Sequence, residues 1–423
     1  MSMKRLFTIL LCAIFAVSTA GAASAIDIKA REYILIDYQT GTVLDAKDAD
    51  KKMPPSSMSK LMTAYMAFNA LKAGKLSLDD ELSVSRNAWQ IGGAASGGST
   101  MFLDPGVKVR VEDLLRGMII QSGNDACVVL AEALAGSEEA FAKDMNAKAK
   151  ELGMTNSNFM NATGLPDDNH YMTPRDLATL AKHLINEYPE YYSLYSETSF
   201  TYNNITQGNR NPLLYRVGSG ADGLKTGHTS IAGYGLTASA IRNGRRLILV
   251  ANGMNSMKDR DEETSKLLDW GFREFTNREL FKAGDVVTTA EVWLGDAPEV
   301  SLVIPQDVTI TVPRATGQVL DVKVVYQGPI PAPIARGTEV AKVVITAKDL
   351  EPIEVALQAG AEVGRLGFIG RLKAAAQYIF LGPPAMVGDG KPVAVPETGT
   401  PAPVPAATPA PQPSGSPASE PAN

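Results

Sequence analysis

Ser57 and Lys60 stand three residues apart in Pro54-Pro55-Ser56-Ser57-Met58-Ser59-Lys60, directly ahead of an apolar-periodic run from Leu61 to Leu71. A serine hydroxyl is a weak nucleophile at its own pKa, and a neutral lysine amine is a competent base for it. On a helix, positions i and i+3 share a face with Cβ atoms about 5–6 Å apart, so the amine reaches the hydroxyl. Among the lysines of the chain, only Lys60 has a serine three residues before it. Alone, such a pair reads as a capped helix start with a solvated lysine. Two later segments supply what a catalytic pair still lacks.

The first is Ser122-Gly123-Asn124, a second hydroxyl and an amide at a break between helical stretches. Ser85-Arg86-Asn87 has the same spacing, but the position at a helix break singles out Ser122. The other is Lys225-Thr226-Gly227, which occurs once, in a strand-like context. Lysine titrates near 10.4 in water, so a neutral base near pH 7 needs a downward shift of roughly three units, about 4–5 kcal/mol. Burial and the like charge of Lys225 both push that way.

The elements that must position these residues follow from local pattern. Tyr33–Tyr38 and Thr42–Ala46 flank Gln39-Thr40-Gly41 as a hairpin. The Ser57–Lys60 helix follows, then a glycine-rich stretch, Gly92 to Gly98. That stretch lacks the Gly-Lys-Ser/Thr of a phosphate-binding loop and reads as a mobile surface loop. Val111 to about Gly153 is helical, interrupted at Gln121–Asn124. Thr173-Pro174-Arg175-Asp176 starts a further helix, with a threonine cap and proline at the first position, running to about Glu187. Strands return at Gly223–His228, Gly235–Arg242 and Arg245–Asn252, the last two around Asn243-Gly244, a strong hairpin signal. Glu263–Phe275 is an amphipathic helix. Strands at both ends with helices between predict an α+β unit: one antiparallel sheet with helices against its faces, over residues 26–280.

After Asp285 the texture changes to short β-branched strands, Val286–Leu294, Ser301–Val312, Val319–Tyr326 and Val340–Ala347. They predict a small all-β domain over residues 285–356, with no cluster of catalytic residue types. Residues 362–382 follow as a helical segment. Within Arg365–Leu381, Phe368, Ile369, Leu372, Ala376, Ile379 and Phe380 gather on one side, and Arg371, Lys373 and Gln377 on the other. The segment is too short and charged to span a bilayer but suits lying in its surface; the alternative is a helix packed on the β domain. Residues 383–423 hold twelve of the 26 prolines and read as a disordered tail.

The 423 residues, 45% hydrophobic and 20% charged, have ordinary globular composition and length for two or three domains. A net charge of −6 gives no reason to expect nucleic-acid binding. Lys4 and Arg5, an apolar run from Leu6 to Val17 and Ala23-Ser24-Ala25 read as a secretory signal over residues 1–25. Cys12 lies in that segment, which leaves Cys127 alone in the mature chain, in an apolar helical setting that reads as a small buried hydrophobe. Three scattered histidines and one cysteine make no metal site, and no cofactor is implied. A Ser-His-Asp hydrolase would have His228 available, but no Gly-x-Ser-x-Gly elbow occurs, and His170 and His183 lack motif context.

Ser57-Met58-Ser59-Lys60, Ser122-Gly123-Asn124 and Lys225-Thr226-Gly227, in that order, resemble the motif set of penicillin-binding proteins and class A β-lactamases. The secreted portion as a whole resembles the low-molecular-mass penicillin-binding proteins that act as serine-type D-alanyl-D-alanine carboxypeptidases. That resemblance implies the penicillin-binding/β-lactamase-like transpeptidase fold. It implies Ser57 as nucleophile, Lys60 as its base, and Ser122 relaying the proton to the departing D-alanine. Asn124 would hold Lys60 and the substrate amide, and the backbone N–H groups of Ser57 and His228 would form the oxyanion hole. Lys225 with Thr226, beside Gly227, and Arg210 and Arg260 are the candidates for the substrate carboxylate; a surface ion pair is the other reading of either arginine. The implied partners are the peptidoglycan stem pentapeptide, β-lactams as covalent inhibitors and the membrane surface through residues 365–381, with a periplasmic site on the outer face of the cytoplasmic membrane. A DD-endopeptidase, a β-lactamase or an envelope binding protein on the same fold are the alternatives. The Glu-x-x-Leu-Asn loop common in β-lactamases is absent.

Overall fold

The computed structural model describes residues 26–314, 320–346, 352–381 and 391–392. The expected signal segment, residues 1–25, lies outside the described residues, as does the proline-rich tail expected over 383–423 apart from Lys391–Pro392, which departs from the expected disorder by pairing with the strand Asp321–Val325.

Five antiparallel strands form the central sheet, in the order Val43–Lys47, Glu32–Asp37, Arg245–Met254, Gly233–Arg242, Ala221–Thr229. The first two and last three strands of this sheet thus meet across residues 48–220, a mostly helical insertion. Hydrophobic side chains alternate along the strands and feed two cores. Ile34, Ile36, Ile248 and Val250 point to one face, and Leu35, Leu247 and Leu249 to the other. This is the period-2 geometry of a strand buried on both sides. Asn243 and Gly244 both adopt positive φ (51° and 76°), so the hairpin they make follows the twist of its strands.

The helix Lys60–Lys72 runs through the larger core and buries residues around almost its whole circumference, Leu61, Met62, Ala64, Tyr65, Ala67 and Phe68 among them. An all-round apolar helix belongs at the centre of a domain. Val111–Ile120, Asn124–Ala135, Glu138–Glu151 and Pro174–Glu187 complete that core. Thr173 Oγ1 accepts the Asp176 N–H at 3.1 Å, capping the last of these helices. On the opposite face lies Met257–Glu274. It begins before the expected Glu263 because Ser256 caps it, its Oγ accepting the Asp259 N–H at 2.9 Å.

The β-rich unit differs from the sequence expectation in three places. Ser301–Val312 is two strands, Glu299–Val303 and Val308–Pro313, parted by the turn at Pro305 to Asp307. Ile353–Ala359 is a further strand, paired with Glu339–Thr346. Phe275–Phe281, read with the first unit, pairs with Val308–Pro313. The unit has its own core, with Leu302, Ile310, Val324, Val343 and Leu357 buried. The two units meet through polar contacts: Thr40 and Thr311 hydroxyls lie 2.6 Å apart, and Asn277 donates to Asp37.

Phe368–Leu381 is helical, starting later than the expected residue 362 because Val363 and Arg365 are bridged to Ile334 and Gly295 of the β unit. Phe368, Ile369, Leu372 and Ile379 are 63–81% exposed, which overturns the alternative of a helix packed by this face on the β domain. Among the described residues no helix is long and apolar enough to cross a membrane.

Candidate active site

Ser57 lies on a tight 3₁₀ turn, Ser56–Ser59, and Lys60 is the first residue of the helix that follows. The expectation of both residues on one α-helix is refined: in a 3₁₀ turn, side chains at i and i+3 eclipse. Lys60 Nζ stands 3.0 Å from Ser57 Oγ. Ser57 is the one residue of its turn that is not buried, whereas Lys60 is 1% exposed.

Two acceptors hold the lysine. Nζ donates to Asn124 Oδ1 at 2.7 Å and to the Thr163 carbonyl at 2.5 Å. Among the described residues no carboxylate pairs with it. Burial, reinforced by the positive charge of Arg210, pushes the Lys60 amine down to about 8. The shift is the one a general base needs near neutrality. Arg210 is one like charge that reinforces it; Lys225 is the other, as expected from the sequence, since the two buried amines repel one another.

Ser122 sits between the helices Val111–Ile120 and Asn124–Ala135 in the left-handed region, φ 63°. It is buried, and its Oγ has no hydrogen-bond partner. A β-substituted residue in that conformation, with an unsatisfied hydroxyl, stores strain of the kind found at functional sites. Asn124 opens the next helix, and its N–H donates to the Ser99 carbonyl at 2.8 Å. The neighbouring Asp125 carboxylate, fully buried, accepts from Thr100 Oγ1 and the Met101 and Leu103 amides. Residues 99–103 are thereby pinned to the helix start. The glycine-rich stretch is a surface loop at residues 94–98, all exposed, with a 3₁₀ turn at Ala94–Ser96; its start is anchored, Gly92 ending the helix Arg86–Gly92 and lying buried against the Asn124–Asp125 backbone.

Lys225, Thr226 and Gly227 lie on the edge strand Ala221–Thr229, which packs on the Ser56–Ser59 turn. A Cβ at Gly227 would fall 2.9 Å from the Pro55 carbonyl oxygen and 3.1 Å from Met58 Cγ, so only glycine lets the strand approach this closely. Lys225 is buried, and its described hydrogen bond runs to the Thr226 carbonyl at 3.3 Å. Burial first, then the charges of Lys60 and Arg210, hold its amine well below the usual range. Ser56 Oγ bonds Thr229 Oγ1 at 3.3 Å, a further tie between strand and turn. His228 is exposed and stacks on Tyr234, ring centroids 3.9 Å apart.

Arg210 is exposed and donates to Ser99 Oγ at 2.6 Å. Arg260 stands one layer back. It is buried, donates to the Arg210 carbonyl at 3.2 Å and lies over the Tyr234 ring. Burial lowers its guanidinium to about 10. Neither arginine forms an ion pair among the described residues, against the surface ion-pair reading. Arg260 thus braces the backbone of Arg210, the other carboxylate candidate.

Three further participants have no sequence signature. Thr163 acts through its carbonyl, Ser99 through a hydroxyl in an unremarkable loop, and Tyr234 by stacking. Asn161, two residues from Thr163, was the available clue: its Oδ1 accepts the Thr163 and Gly164 amides and so shapes that loop. Cys127 is buried with its thiol pushed up to about 12 by burial, consistent with a packing role. His183 pairs with Glu187 on its own helix.

The comparisons with known proteins converge on one family. The D-alanyl-D-alanine carboxypeptidase family matches residues 18–256, and the penicillin-binding protein 5 C-terminal domain matches residues 275–365. D-alanyl-D-alanine carboxypeptidase DacC of Escherichia coli (strain K12) is 42% identical over 364 residues, 85% of this chain and 90% of the relative. DacA of Haemophilus influenzae is 40% identical, over 82% of this chain and 88% of the relative. The crystal structure of penicillin binding protein 5 from Haemophilus influenzae superposes with a TM-score of 0.75 at 38% identity, over 81% of this chain and 99% of that one. Penicillin-binding protein D2 of Listeria monocytogenes, solved in its ampicillin-bound form, matches 59% of this chain and 99% of its own at 32% identity and TM-score 0.52. With a buried lysine against its serine, a second serine two residues before the asparagine that holds that lysine and a lysine-bearing edge strand packed on the serine's turn, this chain belongs to the D-alanyl-D-alanine carboxypeptidase family and continues into a penicillin-binding protein 5 C-terminal domain.

Proposed function

We infer that the protein is a serine-type D-alanyl-D-alanine carboxypeptidase that removes the terminal D-alanine from peptidoglycan stem pentapeptides and is acylated by β-lactams. The observation that carries this reading is the 3.0 Å approach of a buried, depressed-pKa Lys60 amine to the half-exposed Ser57 hydroxyl.

Ser57 Oγ attacks the carbonyl between the two D-alanines while Lys60 takes its proton. The oxyanion is received by the N–H groups of Ser57 and His228, one such donor being worth about 2.7–4 kcal/mol. Ser122 passes a proton to the departing D-alanine nitrogen, the C–N bond breaks and an acyl ester remains on Ser57. Water then cleaves the ester, with Lys60 again as base. The terminal carboxylate is met by Lys225, Thr226 and Arg210, with Arg260 holding Arg210 from behind. No carboxylate hydrogen-bonds Ser57 or Lys60 among the described residues.

We place the enzyme in the periplasm, lying on the outer face of the cytoplasmic membrane. The signal-like residues 1–25 and the exposed apolar side of Phe368–Leu381 support that site.

Incubation with a pentapeptide precursor, followed by mass analysis, tests the activity. Loss of one alanine mass by wild type and none by Ser57→Ala is expected, together with loss of labelled-penicillin attachment. An inert wild type, or a Ser57→Ala variant that still takes up label, would overturn the assignment.

A further inference from the structure

Beside the cleft lies a cavity of about 330 Å³ at the end of the central sheet, bounded by Arg31, His228, Thr229, Ser230, Tyr234 and Asn255 among others. Its wall is shared with the nucleophile's turn, because Thr229 is bonded through Ser56 Oγ to the residue next to Ser57. No aspartate or glutamate lines it.

Its two strong cations differ in status. Lys29 is already matched by Asp259 and Glu263, at 3.8 and 3.6 Å. Arg31 forms no ion pair among the described residues. Its Nη2 donates to the carbonyls of Ile231, at 3.1 Å, and Ala232. Its stem crosses Gly253 so closely that a Cβ there would overlap Nε. The guanidinium is therefore held at the cavity by backbone contacts that leave its charge uncompensated.

Direction decides what reaches it. On the carboxypeptidase reading the terminal carboxylate sits at the Lys225 end of the strand Ala221–Thr229 and the scissile carbonyl over Ser57, with His228 at the oxyanion. An extended acyl chain then continues past His228 and Thr229, towards the cavity. We propose that this cavity is a subsite for a free carboxylate on the acyl portion of the substrate, upstream of the D-alanyl-D-alanine end, with Arg31 as the residue that discriminates it from an uncharged group. The proposal rests on the carboxypeptidase reading above.

The test uses two synthetic acyl-D-alanyl-D-alanine peptides that differ only in bearing a carboxylate or a carboxamide on the upstream residue. Wild type is expected to favour the carboxylate about two- to fivefold in kcat/KM, as suits a partly exposed charge pair. The preference should reside in KM and shrink with added salt. Arg31→Gln is expected to bring the ratio to one. Ser230→Asp, which adds an anion at an exposed rim position, should bring it to one or below. Labelling by benzylpenicillin, whose acyl arm is uncharged, reports that each variant is folded. If Arg31→Gln fails that check, Ser230→Asp and the salt series decide. A wild-type ratio of one, or a ratio unchanged in the folded variants, overturns the subsite. Failure to release D-alanine from either peptide would instead overturn the carboxypeptidase reading.

Discussion

The Thr163 carbonyl oxygen lies 2.5 Å from Lys60 Nζ, between residues 103 positions apart in the chain. A carbonyl only accepts hydrogen bonds, and Asn124 Oδ1 does the same from 2.7 Å. A neutral amine keeps two hydrogens, and these two acceptors claim both. The remaining lone pair then faces Ser57, so the loop that carries Thr163 aims the base as well as binding it.

The lysine acts as a base only when unprotonated. Its amine is lowered from 10.5 to about 8, so it is mostly protonated below pH 8 and mostly neutral above. Acylation of wild type by penicillin should therefore climb with pH and level off beyond about 8. Asn124→Asp puts a carboxylate where the amide stood, and an adjacent opposite charge moves such a group by about one to three units. The limb is expected to move alkaline by that amount. Stopped-flow acylation across pH 6 to 10 checks both; a limb that stays in place would remove Asn124 from this role.

Ser122 should separate stability from activity. Its buried hydroxyl has no partner, so Ser122→Ala removes a desolvated polar group and sacrifices no bond. The melting temperature is expected to hold or rise, while D-alanine release falls by about 10²–10⁴-fold, the usual weight of a proton-transfer group. Ser122→Gly should stabilise further, because φ 63° costs glycine little. A large drop in melting temperature for either variant would show the side chain to be structural.

The Thr163 loop and the nucleophile's turn are in contact. At Gly164, with φ 78°, a Cβ would fall 2.0 Å from the Ser56 carbonyl oxygen. Gly164→Ala must therefore separate the two segments. Penicillin labelling is expected to fail while the circular dichroism of the soluble protein stays close to wild type. Normal labelling would mean that the turn tolerates the shift.

His170 gives the fold an acid limb. The ring is 3% exposed, and burial lowers it from 6.5 to about 4. A lowered histidine pKa means that the folded state resists the proton. Above pH 6.5 both states are neutral and this contribution to stability is whole. Between 6.5 and 4 the unfolded chain gains protons first, and roughly 3 kcal/mol is lost across that window. Urea midpoints for wild type should fall over that range, and His170→Gln should flatten the fall. Parallel curves would assign the acid sensitivity elsewhere.

The helix Phe368–Leu381 leaves Phe368, Ile369, Leu372 and Ile379 exposed, the face proposed above to lie on the membrane. Ile369→Glu with Leu372→Glu is expected to release the protein from anionic vesicles in a sedimentation assay without changing pentapeptide turnover. Removal of everything from Arg365 onward should do the same. Continued sedimentation of both proteins would rule out this face as the anchor.

Sequence alone determined what is local. Period-2 strands, a threonine cap at Thr173, the Asn243-Gly244 turn and the i, i+3 spacing of Ser57 and Lys60 each depend on residues a few positions apart, and each is found in the fold. The three motifs were legible for the same reason. The tertiary structure alone decided which atoms meet. Thr163 enters through a backbone carbonyl, a group that every residue possesses, so nothing in the sequence marks it. That Arg260 braces the Arg210 backbone, fifty positions away, is likewise a matter of packing. The strand Ile353–Ala359 is fixed by its pairing across the sheet. Burial, which lowers the Lys60 amine and leaves Ser122 unsatisfied, is a property of everything around a residue, and only the folded chain supplies those surroundings.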